Sequence, residues 1–166
     1  MTHRTTDLFA RTLAATLALL LAASGPARSA PEPAAMPTFV SADGTCERLV
    51  VAGRDVSRTC KGRLLNTIYK NGRVGFYFIG EDGSALTFTG MGSAQVKPDP
   101  DSAVQPIDGV IYGAGGRSER ARAVGTCRFS NPYKPPGTVR CRADTEKGAF
   151  EAAFTTDGKA PVVSNP

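Results

Sequence analysis

Histidine is almost missing from this sequence: the single His3 lies in an N-terminal segment read below as a leader. Once that segment is gone there is no imidazole. Ser-His-Asp and Cys-His catalysis are excluded, and so are histidine-ligated zinc, iron and copper sites. Tryptophan is absent altogether, which removes the largest ring for stacking a sugar or a base. The four cysteines include no Cys-x-x-Cys and no pair with zinc-knuckle spacing, so neither a redox dithiol nor a metal site is expected. No block of five like charges occurs, and no long stretch keeps a 3.6-residue apolar period. Helix is limited to one or two turns at Ser118 to Val124.

What is present begins with an export signal. Met1 to Arg11 is short and carries two arginines, Thr12 to Ala23 is rich in Leu and Ala, and small residues follow to Ala30. That order is a secretory signal peptide over residues 1–30, with candidate cleavage motifs at Gly25-Pro26-Ala27 and Ala27-Arg28-Ser29. The apolar run falls short of the about 20 residues that span a bilayer. No membrane span is therefore expected after cleavage, and the destination is the periplasm or secretion. Residues 31–38 form a Pro-rich tether that is not expected to fold, and residues 39–166 form one domain. Cleavage removes Arg4, Arg11, Arg28 and Asp7 from 20 basic and 15 acidic residues, leaving a net charge of +3. Such a mild surplus demands no nucleic-acid partner.

The stretch from Cys60 to Gly90 reads as three consecutive strands. Asn71-Gly72 is the strongest short hairpin signal, since both central residues of a type I′ turn need positive φ. A two-residue turn there sets Tyr69 opposite Val74, Thr67 opposite Phe76 and Leu65 opposite Phe78, all on one face. Leu64, Ile68, Tyr77 and Ile79 then share the reverse face with Lys70 and Arg73. A three-residue loop at Glu81-Asp82-Gly83, with Gly83 left-handed, sets Phe78 opposite Leu86 and Phe76 opposite Phe88. It is preferred because it gathers the large apolar groups on one face.

The cysteines fall as two pairs of equal spacing, Cys46 to Cys60 and Cys127 to Cys141, each opened by Gly-Thr-Cys. Each pair is followed by an aromatic strand and an Asp-Gly turn, a faint internal repeat. An even count in an exported chain implies disulfides. Four cysteines allow three connectivities, and the repeat favours Cys46–Cys60 with Cys127–Cys141. Each such loop contributes about 3 kcal/mol in the chain-entropy model. In the second unit a turn at Thr145 to Gly148 sets Ala143 opposite Phe150, Cys141 opposite Ala152 and Val139 opposite Phe154. Arg142 then lies across from Glu151, a favourable pair. Opposing Cys127 to Cys141 also brings Phe129 to Val139. In the first unit the same logic sets Val50 opposite Val56 but Arg48 opposite Arg58, which points to an irregular loop.

Between these units, prolines make Lys97 to Asp101 a loop and Gly109 to Tyr112 reads as a short strand. Gly113 to Gly116 is read as a flexible loop leading into the basic segment Arg117 to Arg122. A phosphate cradle would need P-loop residues that are missing. Asp99 and Asp101 are spaced like the start of a calcium loop, but its other ligand positions do not follow. No cofactor and no metal are expected.

In size and cysteine use the chain is similar to the periplasmic lysozyme-inhibitor β-barrels, although it lacks their signature loop motifs and no residue is carried over. The fold class expected is all-β: a small antiparallel sandwich or barrel of about seven to nine short strands with two disulfides. The function expected is an exported, non-catalytic module that binds a protein or a cell-envelope component. Its candidate contacts are a basic loop with Arg117, Arg120 and Arg122, and a Pro-bounded loop with Tyr133 and Lys134. The alternative is a carboxylate-based hydrolase of an envelope polymer, which would need two carboxyls about 5 to 9 Å apart.

Overall fold

The structure, a computed structural model, describes residues 36–165. The export signal and residues 31–35 of the tether lie outside the described residues. Thr38, the last tether residue, already belongs to a strand and pairs with Ile68.

Eleven strands follow one another: β1 (Thr38–Val51), β2 (Arg54–Asp55), β3 (Cys60–Ile68), β4 (Arg73–Gly80), β5 (Ala85–Met91), β6 (Val96–Asp99), β7 (Ser102–Ala114), β8 (Arg117–Ser130), β9 (Thr138–Thr145), β10 (Gly148–Thr156) and β11 (Val162–Ser164). Eight of them form the order β10-β9-β8-β7-β5-β4-β3-β1, and β1 pairs again with β10, closing an antiparallel barrel. Closure leaves these strands no free edge. β2 and β11 add to β1, and β6 adds to β7. The all-β class with two disulfides is as expected, but β1, β7 and β8 run to 14, 13 and 14 residues and are not short.

The interior is built by alternation. Leu49, Leu64, Phe76, Phe78, Leu86, Phe88, Val110, Phe150 and Phe154 all turn inward and are buried. Ala143 and Ala152 sit among them, so small side chains on β9 and β10 make room for rings. A register shift between Ile107 and Gly109 changes the parity of β7, so Ile107 and Val110 both reach the core.

The Glu81–Gly83 loop has the expected form. Gly83 is left-handed, and Phe78 pairs with Leu86 and Phe76 with Phe88. The Asn71-Gly72 turn departs from expectation. Only Gly72 has positive φ; Asn71 keeps an ordinary backbone and its Oδ1 accepts from the Arg73 amide at 3.0 Å. The connection is thus a three-residue loop, Lys70 to Gly72, and β3 slips by one residue. Leu64 pairs with Phe78, Asn66 with Phe76 and Ile68 with Val74. A slip of one exchanges the two faces of a strand. Leu64 therefore lies in the core, while Leu65, Thr67 and Tyr69 take the outer face with Tyr77. There the Tyr69 and Tyr77 hydroxyls meet at 3.0 Å.

Both disulfides join the expected partners, yet the two loops differ. Cys127 lies directly opposite Cys141, and Phe129 opposite Val139, inside a regular hairpin. Every pair foreseen for β9 and β10 is present, Arg142 with Glu151 included. The first loop is irregular. β1 leaves β3 after Asp43 and takes up β10 from Gly44. Gly44 marks this corner because a Cβ there would lie 2.1 Å from the Thr155 carbonyl oxygen. Cys46 then pairs with Phe154, and Val50 with Asp55 instead of Val56. Arg48 and Arg58 are not opposed: Arg48 bonds Glu151, and Arg58 sits in a 3-10 turn.

The helical turns considered at Ser118 to Val124 are strand, part of β8. The strand expected at Gly109 to Tyr112 extends over all of β7, because β5 and β8 pair along it on both sides. Only Gly115 and Gly116, both left-handed, remain as the turn between β7 and β8.

Candidate functional site: the open mouth of the barrel

One barrel end is reached by the longer connections: residues 92–101, 131–137 and 157–161. It holds an apolar cavity of about 200 Å³, with Val40, Leu64, Ile68, Phe76, Phe129 and Val139 in its wall. Phe76 and Phe129 lean together with ring centres 5.3 Å apart. Polar side chains around the mouth are spent on backbone. Asn66 donates to the Gly75 carbonyl at 2.9 Å, the Ser130 hydroxyl accepts from the Thr138 amide at 2.8 Å, and the Thr156 hydroxyl accepts from the Gly137 amide at 2.9 Å. These bonds tie strands and loop together and leave mostly carbon facing the void.

The loop 131–137 is fastened to its neighbour by three contacts. The Asn131 amide donates to the Asp101 carbonyl at 2.8 Å, the Asn131 Nδ2 donates to the Asp101 carboxylate at 3.3 Å, and Lys134 Nζ meets the same carboxylate at 2.8 Å. The Lys134 hydrogen bond, followed by that of Asn131, holds the Asp101 carboxyl below the usual range. Tyr133 is left 61% exposed, as the Pro-bounded loop suggested. It edges a second recess of about 260 Å³ with Lys97, Asp101 and Asn131, and this recess shares Gln95, Phe129, Ser130 and Pro132 with the apolar cavity.

The arginines fall elsewhere. Arg117, Arg120 and Arg122 belong to strand β8, not to a loop, because β7 and the Gly115-Gly116 turn pair the segment down to Arg117. Alternation turns Arg120 and Arg122 to the outer wall and gives Arg117 the opposite parity. Arg120 and Arg122 line a shallow outer cleft with the Arg73–Asp108 ion pair and Val124, itself 83% exposed. Eight residues of strand, roughly 26 Å, separate Arg122 from the mouth at Ser130. The two groups of expected contacts are therefore separate surfaces.

Carboxylates are largely engaged. Asp43 is hydrogen-bonded by Arg63, Asp55 by Ser57, Asp82 by Ser84, Asp99 by Ser102 and Asp157 by Lys159, and each bond lowers the acid's pKa. Such groups are anions near neutral pH and cannot lend a proton. Asp99 caps its own turn, accepting from the Asp101 amide at 2.8 Å. Among the described residues no cluster of three or more acids, cysteines or histidines is arranged to hold a metal, and no cysteine is free.

Sequence reading placed Tyr133 and Lys134 at a loop but missed Phe76 and Phe129 in the cavity wall and Lys97 in the adjoining recess. The signal was the length of two Pro-bearing connections, 92–101 and 131–137. Only the closed strand order shows that both lie at the same end.

Fold and cavity together define an eight-stranded disulfide-bonded barrel with three tight turns at one end and an open apolar mouth at the other. The chain matches no family model, no curated protein and no solved structure. Among the described residues no helix is long and apolar enough to cross a membrane.

Proposed function

We propose that this chain is an exported, non-catalytic barrel that binds a protein or cell-envelope component at its mouth. The observation carrying this reading is the apolar cavity beside the exposed ring of Tyr133. A void lined by carbon at the rim of a barrel is where a ligand gains most from leaving water. Export is supported by the leader and by the two disulfides, which persist in oxidising compartments. The hydrolase alternative has weaker support, since it needs one carboxyl to keep its proton near neutral pH and every resolved Asp shift runs the other way.

The test is capture from cell-envelope extract on the immobilised chain, followed by mass spectrometry. A component enriched by the wild type falls several-fold with Tyr133→Ala/Lys134→Ala and persists with Arg120→Ala/Arg122→Ala. The reverse pattern moves the site to the outer wall of β8 and overturns the mouth reading.

A further inference from the structure

Resting on that reading, we propose that mouth and recess are two halves of one site for a small amphiphile: a short apolar chain or ring bearing a carboxylate or similar oxyanion. Size sets the apolar part. A cavity of about 200 Å³ exceeds the roughly 150 Å³ that accommodates benzene. It takes a ring or a short alkyl chain, not the full tail of a membrane lipid. Each methylene buried there adds roughly fourfold in affinity.

Charge sets the head. The cavity wall itself has no ionisable side chain. The recess that shares Phe129 and Pro132 with it has two charged side chains, Lys97 and Asp101, beside the Tyr133 phenol. Asp101 is answered by Lys134 and Asn131. Lys97 is exposed and makes no ion pair among the described residues. A ligand whose apolar end passes Phe129 therefore meets one unanswered charge, and it is positive. The Tyr133 phenol, at the same recess, can donate to the same oxyanion.

The disulfide-intact chain is titrated with octanoate, octan-1-ol and octylamine at matched ionic strength, followed by amide NMR shifts at Phe129, Ser130 and Thr138. Octanoate binds about threefold tighter than octanol, the size of one exposed ion pair, and octylamine binds weakest. Lys97→Glu, a change at an exposed side chain outside the core, inverts the order of octanoate and octylamine and leaves octanol unchanged. Ala42→Phe fills the mouth and weakens all three; Val40→Phe serves if that variant does not fold. Equal binding of octanoate and octanol, unmoved by Lys97→Glu, overturns the head-group assignment while the mouth reading stands. No shift with any of the three overturns the amphiphile proposal as a whole, while the capture pattern of the Tyr133→Ala/Lys134→Ala variant decides the mouth reading.

Discussion

The two ends of this barrel are made differently. At one end three of the four reversals are tight turns, Glu81 to Gly83, Gly115-Gly116 and Glu146-Lys147, and the longer connection, residues 52–59, folds back with Val56 packed against the core. Short turns leave little freedom in how the strands meet, and Leu49, Phe78, Leu86 and Phe150 fill the space between them with almost no exposure. At the other end only Lys70 to Gly72 is tight. The longer connections there hold on through hydrogen bonds to Asp101, Thr156 and Ser130, not through packed rings. A loop fixed by directional bonds can stand off from the core, and a cavity survives beneath it. In one small domain the packed end supplies stability, and the bonded end is the one where we propose binding.

The sharpest way to break that contrast is to delete a ring from each end. Phe78→Ala, at a site with no solvent exposure, is expected to cost about 3–5 kcal/mol in denaturant unfolding. Phe129→Ala at the half-buried mouth is expected to cost clearly less and to change ligand uptake more. Equal costs would mean that the mouth is packed as firmly as the far end. Next in size, replacing Cys127 and Cys141 together by Ala is expected to cost about 3 kcal/mol. Loss of only a few tenths would show that the β8–β9 hairpin holds its register without the bridge.

Two pH predictions sharpen the contrast further. The Asp101 carboxyl has a lowered pKa in the fold, so its contribution is present above the unfolded carboxylate range and disappears as pH falls through the folded value. Below about pH 4 the Lys134 amide should lose exchange protection before the carboxylate-free turn at Gly115-Gly116 does. Simultaneous loss would put both ends in one cooperative unit. On the outer wall, burial and then the Tyr69 hydrogen bond push the Tyr77 phenol up to about 12. A raised phenol favours the folded state below the unfolded value of about 10, and that advantage is lost as pH climbs to the folded value. Tyrosinate absorbance, clean here because tryptophan is absent, should show a late phase that Tyr77→Phe removes. The smallest effect expected is on stability in Arg120→Ala/Arg122→Ala, within about 0.5 kcal/mol. A larger loss would make these arginines part of the wall's support.

The Glu81-Asp82-Gly83 turn was legible because local chemistry and face pattern agreed. At Asn71-Gly72 they gave different answers. A type I′ turn satisfied the dipeptide, but Asn71 bonds Arg73 through its side chain and needs no positive φ. The alternation of Leu64 and Leu65 could not arbitrate, since either leucine makes an apolar face. The arginines of β8 were misread as a loop because Gly113 to Gly116 looked like a long break. The first two of those residues belong to β7 and pair with β8. Phe129 was placed opposite Val139, but its place in a cavity wall depends on Phe76, far away in the chain.

By itself the sequence determined the β class, the pairing of its cysteines and the register from Cys127 to Phe154, because turns, alternation and equal spacing are local properties. The tertiary structure alone decided that β1 changes partners at Gly44, that the sheet closes, and that two distant Pro-bearing connections share one rim, Lys97 on one and Tyr133 on the other. Those outcomes depend on which strands become neighbours, and neighbours in space are set by closing the barrel, not by any stretch of chain read in isolation.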